Sequence, residues 1–246
     1  MGFVESEPMI DRAYAQWYDS WVRGAVVHKV AIPALLELCL PGDEVLDVAC
    51  GQGAFSRALA ARGYSVTAID LSPELIEVAT RMESDAPLGI RYLVGDARTL
   101  DGVATAAFDG VTSCLALTDI DDLTSAFGAV NRVLKPDGWF AIATVHPCFE
   151  TPHAHKLDEG GVRWSAVAHY FEEGHWVAPE GRGPRAIVGS HHRRLSTILN
   201  QLVDTGFELH RFVEPKGPPE VTADHPHYGE VAEILGVRAL KKPQAR

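Results

Sequence analysis

No apolar run in this chain approaches the roughly 20 residues that a membrane-spanning helix requires, so a membrane span is not expected. Basic residues are also scarce: 22 Lys and Arg stand against 33 Asp and Glu, a formal net charge of -11 over 246 residues. That balance argues against broad electrostatic binding to nucleic acid or to an anionic membrane surface, both of which need basic patches. The four cysteines, Cys39, Cys50, Cys114 and Cys148, lie far apart without CxxC spacing. Buried free thiols in a reducing compartment follow from that spacing. Met1 to Pro8 is acidic and lacks the basic start and apolar stretch of an export leader, so a cytoplasmic location is expected. A Gly-x-Ser-x-Gly elbow and a P-loop lysine are both missing, which removes support for hydrolase and kinase chemistry. His153-x-His155 and His225-x-His227 sit in loop-like sequence without cysteine or helical context, and no metal site is expected from them.

What is present is organised around Glu44 to Gly53, EVLDVACGQG. Val45, Leu46 and Val48 make a short apolar run broken only by Asp47, followed by small Ala49 and Cys50 and then Gly51 and Gly53. A helical pattern begins at Ala54. A buried strand, a glycine turn and a helix start together leave backbone N–H groups pointing outward, where a ligand can come close.

The flanking sequence alternates strand and helix. Residues 11–23 carry Tyr14, Trp17, Tyr18 and Trp21 at helical spacing, and a second helix is predicted from Val26 to Leu40. Ala54 to Arg62 reads as a helix closed by Gly63, and Ser65 to Ile69 as a strand ending at Asp70. Ser72-Pro73-Glu74 opens the next helix with a capping serine, a proline at the first position and an acid in the first turn. Strands are predicted over Ile90 to Val94, Phe108 to Leu115 and Trp139 to Val145, with a helix after Asp119, Asp121 and Asp122 that Lys135 to Gly138 stops. Short connections with right-handed crossovers imply a parallel sheet covered on both faces. From Pro147 to Gly189 the pattern breaks into turn-like clusters with two strand-like pieces, His169 to Ala178 and Arg185 to Gly189. This reads as a lid of residues 147–190 on a single domain of residues 1–246, with residues 1–40 as a helical cover. Leu195 to Thr205 is a further helix. Phe207 to Val213 and Val231 to Leu240 are consecutive strands, the latter interrupted at Gly236, which implies an antiparallel edge.

Ligands of such sheets lie beyond the C-terminal strand tips. Asp70 comes about 20 residues after the glycine turn, where a ribose-binding acid falls in doubly wound folds. Asp96, at the next strand's end, is placed to accept from an exocyclic amine. Together they describe an adenosine site. A nicotinamide dinucleotide competes, but its fingerprint needs a third glycine where this chain has Ser56.

Five blocks then stand in register: VLDVACGQG, VTAIDLS, YLVGDARTL, FDGVTSCLAL and VLKPDGWFAIATVHP. They closely resemble the class I S-adenosylmethionine-dependent methyltransferases over residues 40–146, and the remainder resembles them more loosely. SHHRRLSTILNQLVDTGFELHRFVEP is similar to a bacterial small-molecule subgroup, with Arg194 in place of its proline. The resemblance implies a Rossmann-like α/β fold with a seven-stranded sheet of order 3-2-1-4-5-7-6, strand seven antiparallel. It implies S-adenosyl-L-methionine as cofactor, with Ala49, Gly51, Gln52 and Gly53 at its methionine end and Asp70 on the ribose. Leu71 then lies on adenine, Asp96 and Ala97 at the amine, Leu115 beside the sulfonium, and Asp47 behind the loop. Ala49 departs from the glycine that many members carry.

For the acceptor, histidine suits proton removal near neutral pH. His146 ends the fifth strand and His192 follows the lid, making both catalytic candidates. Tyr14 and Tyr18 on the cover and Trp164, Tyr170, Phe171 and Trp176 in the lid are candidate contacts. The expected function is methyl transfer to a small organic acceptor, N- or O-methylation favoured, in secondary metabolism, by a monomer or homodimer. A non-catalytic adenosylmethionine-binding protein and a nicotinamide-dependent reductase are the alternatives.

Overall fold

Val45, Leu46 and Val48 place apolar side chains on both faces of one strand, and such a strand is stable only when helices cover both sides. In the computed structural model this segment is the centre of the sheet, buried along its length after Glu44. The structure describes residues 11–152, 154–159, 162–178 and 183–243.

The elements run α1 (Arg12–Gly24), α2 (Val26–Leu38), β1 (Glu44–Val48), α3 (Ala54–Ala60), β2 (Ser65–Asp70), α4 (Pro73–Asp85), β3 (Arg91–Val94), β4 (Phe108–Cys114), α5 (Leu123–Val133) and β5 (Leu134–Val145). The lid region holds β6 (His155–Glu159), β7 (Val162–Ala166), β8 (Gly174–Trp176) and β9 (Ser190–His192). Then come α6 (Leu195–Asp204), β10 (Phe207–Val213), α7 (Pro219–Thr222) and β11 (Ile234–Lys241). The main sheet has the order β3-β2-β1-β4-β5-β11-β10. Counting sheet strands alone, that is the expected 3-2-1-4-5-7-6. The first five strands are parallel, and β11 runs antiparallel to both β5 and β10.

Two apolar cores, one per face, hold the sheet. One packs Phe127, Phe140, Leu202 and Phe207 between the sheet and α5 and α6. The other packs Leu35, Leu38, Leu59 and Trp139 under α2 and α3. Strand order reverses between β1 and β4, so the tips of those strands open a crevice. The cover helix α1 lies beside α4, tied to it by an Arg12–Glu77 ion pair of 2.8 Å.

The structure differs from the sequence expectations in four places. Gly236 does not interrupt β11, which pairs with β5 straight through it. A Cβ there would collide with Val213 and Leu38, so glycine marks a close approach instead of a break. The stop at Lys135 to Gly138 belongs to an irregular start of β5, with Asp137 at φ 60°. In the lid, Arg185 to Gly189 is not a strand: Pro184, without an N–H to donate, opens a 3-10 turn, and Gly189 turns the chain at φ 78°. The lid strands instead pair as hairpins, β6 with β7 and β8 with β9. Finally, the link from β10 to β11 contains α7, whose 4 residues are too few for a crossover. Among the described residues no helix is long and apolar enough to cross a membrane.

Candidate functional site

At the tip of β1 the backbone leaves the strand through three left-handed residues: Ala49 (φ 52°), Gly51 (φ 57°) and Gly53 (φ 86°). Gly53 caps the N-terminus of α3. A Cβ at Gly53 would strike the ring of Tyr92, so both its φ and its surroundings call for glycine. Ala49 adopts the same region with a Cβ, which stores local strain of the kind that clusters at functional sites. The Gln52 side chain accepts the Ala54 N–H at 3.1 Å and so supports the start of α3.

Asp70 locks this loop to β2. Its Oδ2 accepts the Gly51 N–H at 2.7 Å and its Oδ1 accepts the Ser72 N–H at 2.9 Å. Burial raises its pKa against the pull of those two bonds. Beneath the loop, Asp47 is 1 % exposed and accepts from Ser56 Oγ (2.6 Å) and Thr112 Oγ1 (2.8 Å). Burial pushes the Asp47 carboxyl up to about 6. Ser56, at the third-glycine position of a dinucleotide fingerprint, is thus a buried hydroxyl that ties α3 to β1.

Gly95 N–H donates to the Asp70 carbonyl at 2.9 Å, which brings the tip of β3 beside that of β2. There Asp96 is held by Arg98: Nη2 lies 2.7 Å from Oδ2 and the Arg98 N–H 2.8 Å from Oδ1. The Arg98 guanidinium keeps the Asp96 carboxyl below the usual range and also grips Asp121 at 2.9 Å. Ala97 is buried, whereas Leu71 is 56 % exposed, an apolar side chain left facing solvent. Tyr18 lies against the glycine loop, its Cε1 3.6 Å from a Cβ built at Gly51. Its ring stacks on Tyr14 with centroids 5.9 Å apart. Leu115 leaves β4 at φ 61°, its N–H donating to the Ala143 carbonyl.

These features fit an adenosine-bearing sulfonium: a loop without side-chain bulk, a carboxylate at the β2 tip and an exposed apolar residue beside it. A pyrophosphate fits less well, since Ser56 and Asp47 fill the space under the helix start.

Beyond β5 the two histidines are engaged by protein. The Cys148 N–H donates to His146 Nδ1 at 3.2 Å, so Nε2 carries the proton and donates to Glu214 Oε1 at 2.9 Å. His192 Nε2 donates to the Tyr170 carbonyl at 2.9 Å. Both rings are buried. Between lid and strand tips remains a cavity of about 20 Å³, lined in part by Leu117, Trp176, Arg185 and His192. That is room for a single water. Phe171 is 80 % exposed, and the Tyr170 hydroxyl accepts the Leu195 N–H at 3.1 Å. The Trp164 side chain, His153, the His155 side chain and the Met1–Pro8 segment lie outside the described residues.

Residues 46–142 match the family described as "Methyltransferase domain". Over that stretch the chain is similar to a methyltransferase domain. A Ubiquinone biosynthesis O-methyltransferase of Xanthomonas oryzae pv. oryzae is 37 % identical over 129 residues, covering 52 % of this chain and 53 % of that protein. Its namesake in Xanthomonas euvesicatoria is 35 % identical over 156 residues, 61 % and 64 % of the two chains. The chain thus spans about half the length of the first of these relatives. A solved S-adenosylmethionine dependent methyltransferase from Mesorhizobium loti is 29 % identical with a TM-score of 0.70, covering 89 % of this chain and all of that one.

The structure brings Ala49, Gly51, Gly53, Asp70 and Tyr18 together at one crevice. Asp96, Ala97 and Leu115 stand at the neighbouring strand tips. His146, His192 and Trp176 lie on the lid side of β5. Sequence reasoning missed the Asp47–Ser56–Thr112 network and the Arg193 clamp on the loop after β4. Arg193 donates to the carbonyls of Leu117, Ile120 and Asp121 at 3.0, 2.5 and 2.6 Å. A hydroxyl at the third-glycine position opposite a strand aspartate was the available signal for the first. For the clamp, which spans more than 70 residues of chain, no local pattern existed.

Proposed function

We propose that the whole chain transfers a methyl group from S-adenosylmethionine to the oxygen or nitrogen of a small organic acceptor, in cytoplasmic secondary metabolism. The observation that carries this reading is the Asp70 carboxylate: one oxygen positions the glycine turn and the other the start of α4, yet each retains a lone pair for the ribose hydroxyls. The net charge of -11 favours a metabolite over nucleic acid as acceptor. A monomer or homodimer is the expected state.

S-adenosylmethionine supplies an electrophilic methyl group on a positive sulfur. The chain's part is to align the acceptor, exclude water and stabilise the arrangement in which that charge disappears. Ala49, Gly51, Gln52 and Gly53 would face the methionine end, Asp70 the ribose, and Leu71, Asp96 and Ala97 the adenine. Arg98 would hold Asp96 in place for that task. Leu115 and Tyr18 would border the reacting methyl. Tyr14 and Trp176 would face the acceptor.

For His146 to take a proton from the acceptor, the Cys148 N–H bond to its Nδ1 must break, and we assign His146 to positioning the lid. His192 donates through Nε2 to the Tyr170 carbonyl, which leaves its Nδ1 lone pair for the proton-accepting role. His146→Ala is expected to leave the pH dependence of turnover unchanged; loss of one titrating limb would return His146 to the proton-accepting role.

Calorimetric titration with S-adenosylmethionine, its demethylated product and NADH tests the cofactor. The first two should bind and NADH should not, and Asp70→Ala should weaken binding more than tenfold. Equal affinity in Asp70→Ala refutes the site. Methyl transfer to none of a broad panel of phenols and amines would favour a non-catalytic binding protein.

A further inference from the structure

Directly after β4, residues 116–121 form a loop whose backbone is fixed from three sides. Asp119 N–H donates to the Ala116 carbonyl at 2.9 Å. The Thr118 carbonyl accepts the His191 N–H of β9 at 2.7 Å, joining the loop to the lid. Arg193 grips the carbonyls on either side, and Arg98 holds the Asp121 carboxylate. Every neighbour of Asp119 is therefore pinned. Its own carboxylate has no hydrogen-bond or ion-pair partner among the described residues.

The residue as a whole is exposed, while protein crowds the carboxylate itself. Its surroundings can be named element by element. From α1 come Tyr14 and Tyr18, whose phenols are both held protonated by burial and by the Asp119 charge. From β2 comes the Asp70 carboxylate. From the lid comes Arg185, whose guanidinium is already engaged by Glu150 at 3.0 Å. Crowding first, then Asp70, push the Asp119 carboxyl up to about 7, with Arg185 opposing. Negative charge thus exceeds positive at this point of the crevice, beside stacked aromatic rings.

We propose that Asp119 anchors the methyl acceptor, and that the acceptor brings a protonated amine to it. A neutral hydroxyl could accept the same geometry but would leave the excess charge uncompensated. An ammonium supplies the charge, and the faces of Tyr14 and Tyr18 suit it further. This assignment rests on the adenosylmethionine site described above, because it places the anchor between that site and the lid. Asp119 is here a binding residue; which atom of the acceptor receives the methyl group is a separate matter.

The test uses the full chain saturated with adenosylhomocysteine and three amine–alcohol pairs of matched shape: phenethylamine with 2-phenylethanol, tyramine with tyrosol, and tryptamine with tryptophol. Affinities are read by calorimetry at pH 8. At least one amine should bind tenfold or more tighter than its alcohol. That preference should vanish in Asp119→Asn and decline as the pH falls from 8 to 5.5, where the amines stay charged while the carboxylate protonates.

Equal binding of amine and alcohol, or failure of all three amines to bind the wild-type complex, overturns the proposal. So does a preference that survives Asp119→Asn. If Asp119→Asn weakens adenosylhomocysteine itself tenfold or more, the carboxylate serves the cofactor's own ammonium and the proposal is likewise overturned. Wild-type protein that fails to bind adenosylhomocysteine sinks the cofactor site instead, a result seen before any amine is added.

Discussion

Asp47 carries a charge that the fold must bury, and its replacement by asparagine should stabilise the protein. The carboxylate lies under the glycine turn, 1 % exposed, with only two hydroxyl donors to compensate its desolvation. Its pKa rises from 3.8 to about 6. A carboxyl group with a raised folded pKa holds its proton more tightly in the native state. Its burial therefore costs nothing below the unfolded value near 4, and costs increasingly as pH rises through 6. At about 1.4 kcal/mol per pK unit, the full cost at pH 7 is roughly 3 kcal/mol.

Asparagine has nearly the same shape. Its carbonyl oxygen can accept from Thr112, and its amide can donate to a Ser56 hydroxyl that has rotated to accept. Asp47→Asn should therefore gain up to roughly 3 kcal/mol at pH 7, or about 6–12 °C in Tm for a chain of this size. The gain should shrink towards zero near pH 4. Urea unfolding followed by circular dichroism at pH 7, 5.5 and 4.5 measures it. An Asp47→Asn protein less stable than wild type at pH 7, or a difference that does not change with pH, refutes the reasoning.

Other outcomes follow from the same geometry. Gly53→Ala forces a Cβ into the Tyr92 ring at a left-handed φ, and adenosylmethionine affinity should fall at least tenfold by calorimetry while Gly63→Ala leaves it unchanged. Ser56→Gly completes the three-glycine pattern but deprives Asp47 of a donor. It should cost roughly 1–2 kcal/mol in urea unfolding without creating NADH affinity. Arg193→Ala removes three carbonyl contacts from the loop after β4. Hydrogen exchange at residues 117–121 should quicken, with a stability loss of roughly 2 kcal/mol. Arg98→Ala frees Asp96 from its guanidinium, so its carboxyl should titrate higher by NMR and adenosylmethionine should bind more weakly.

Much of the fold was legible because local rules and global architecture agree. The order of strands and helices, the capped start of α4 at Ser72 and the glycine turn all follow from periodicity, caps and positive-φ needs that act over a few residues. The lid was less legible. Its strands are short and exposed, so no apolar alternation marks them, and Pro184 and Gly189 turned an expected strand into a 3-10 turn. Gly236 misled for a different reason: a strand glycine signals a break or a close neighbour with equal force, and only the packing of Leu38 and Val213 decides between them.

On its own, then, the sequence determined which strand tips carry Asp70 and Asp96, since motif spacing along a doubly wound sheet leaves them nowhere else to stand. Tertiary structure alone decided the state of the groups around them. It gave His146 and His192 partners distant in sequence, filled the third-glycine position with a hydroxyl bonded to Asp47, and left the Asp119 carboxylate without a hydrogen-bond or ion-pair partner among the described residues. Charge, burial and pairing depend on what other chain segments bring within a few ångströms, and no local pattern records that.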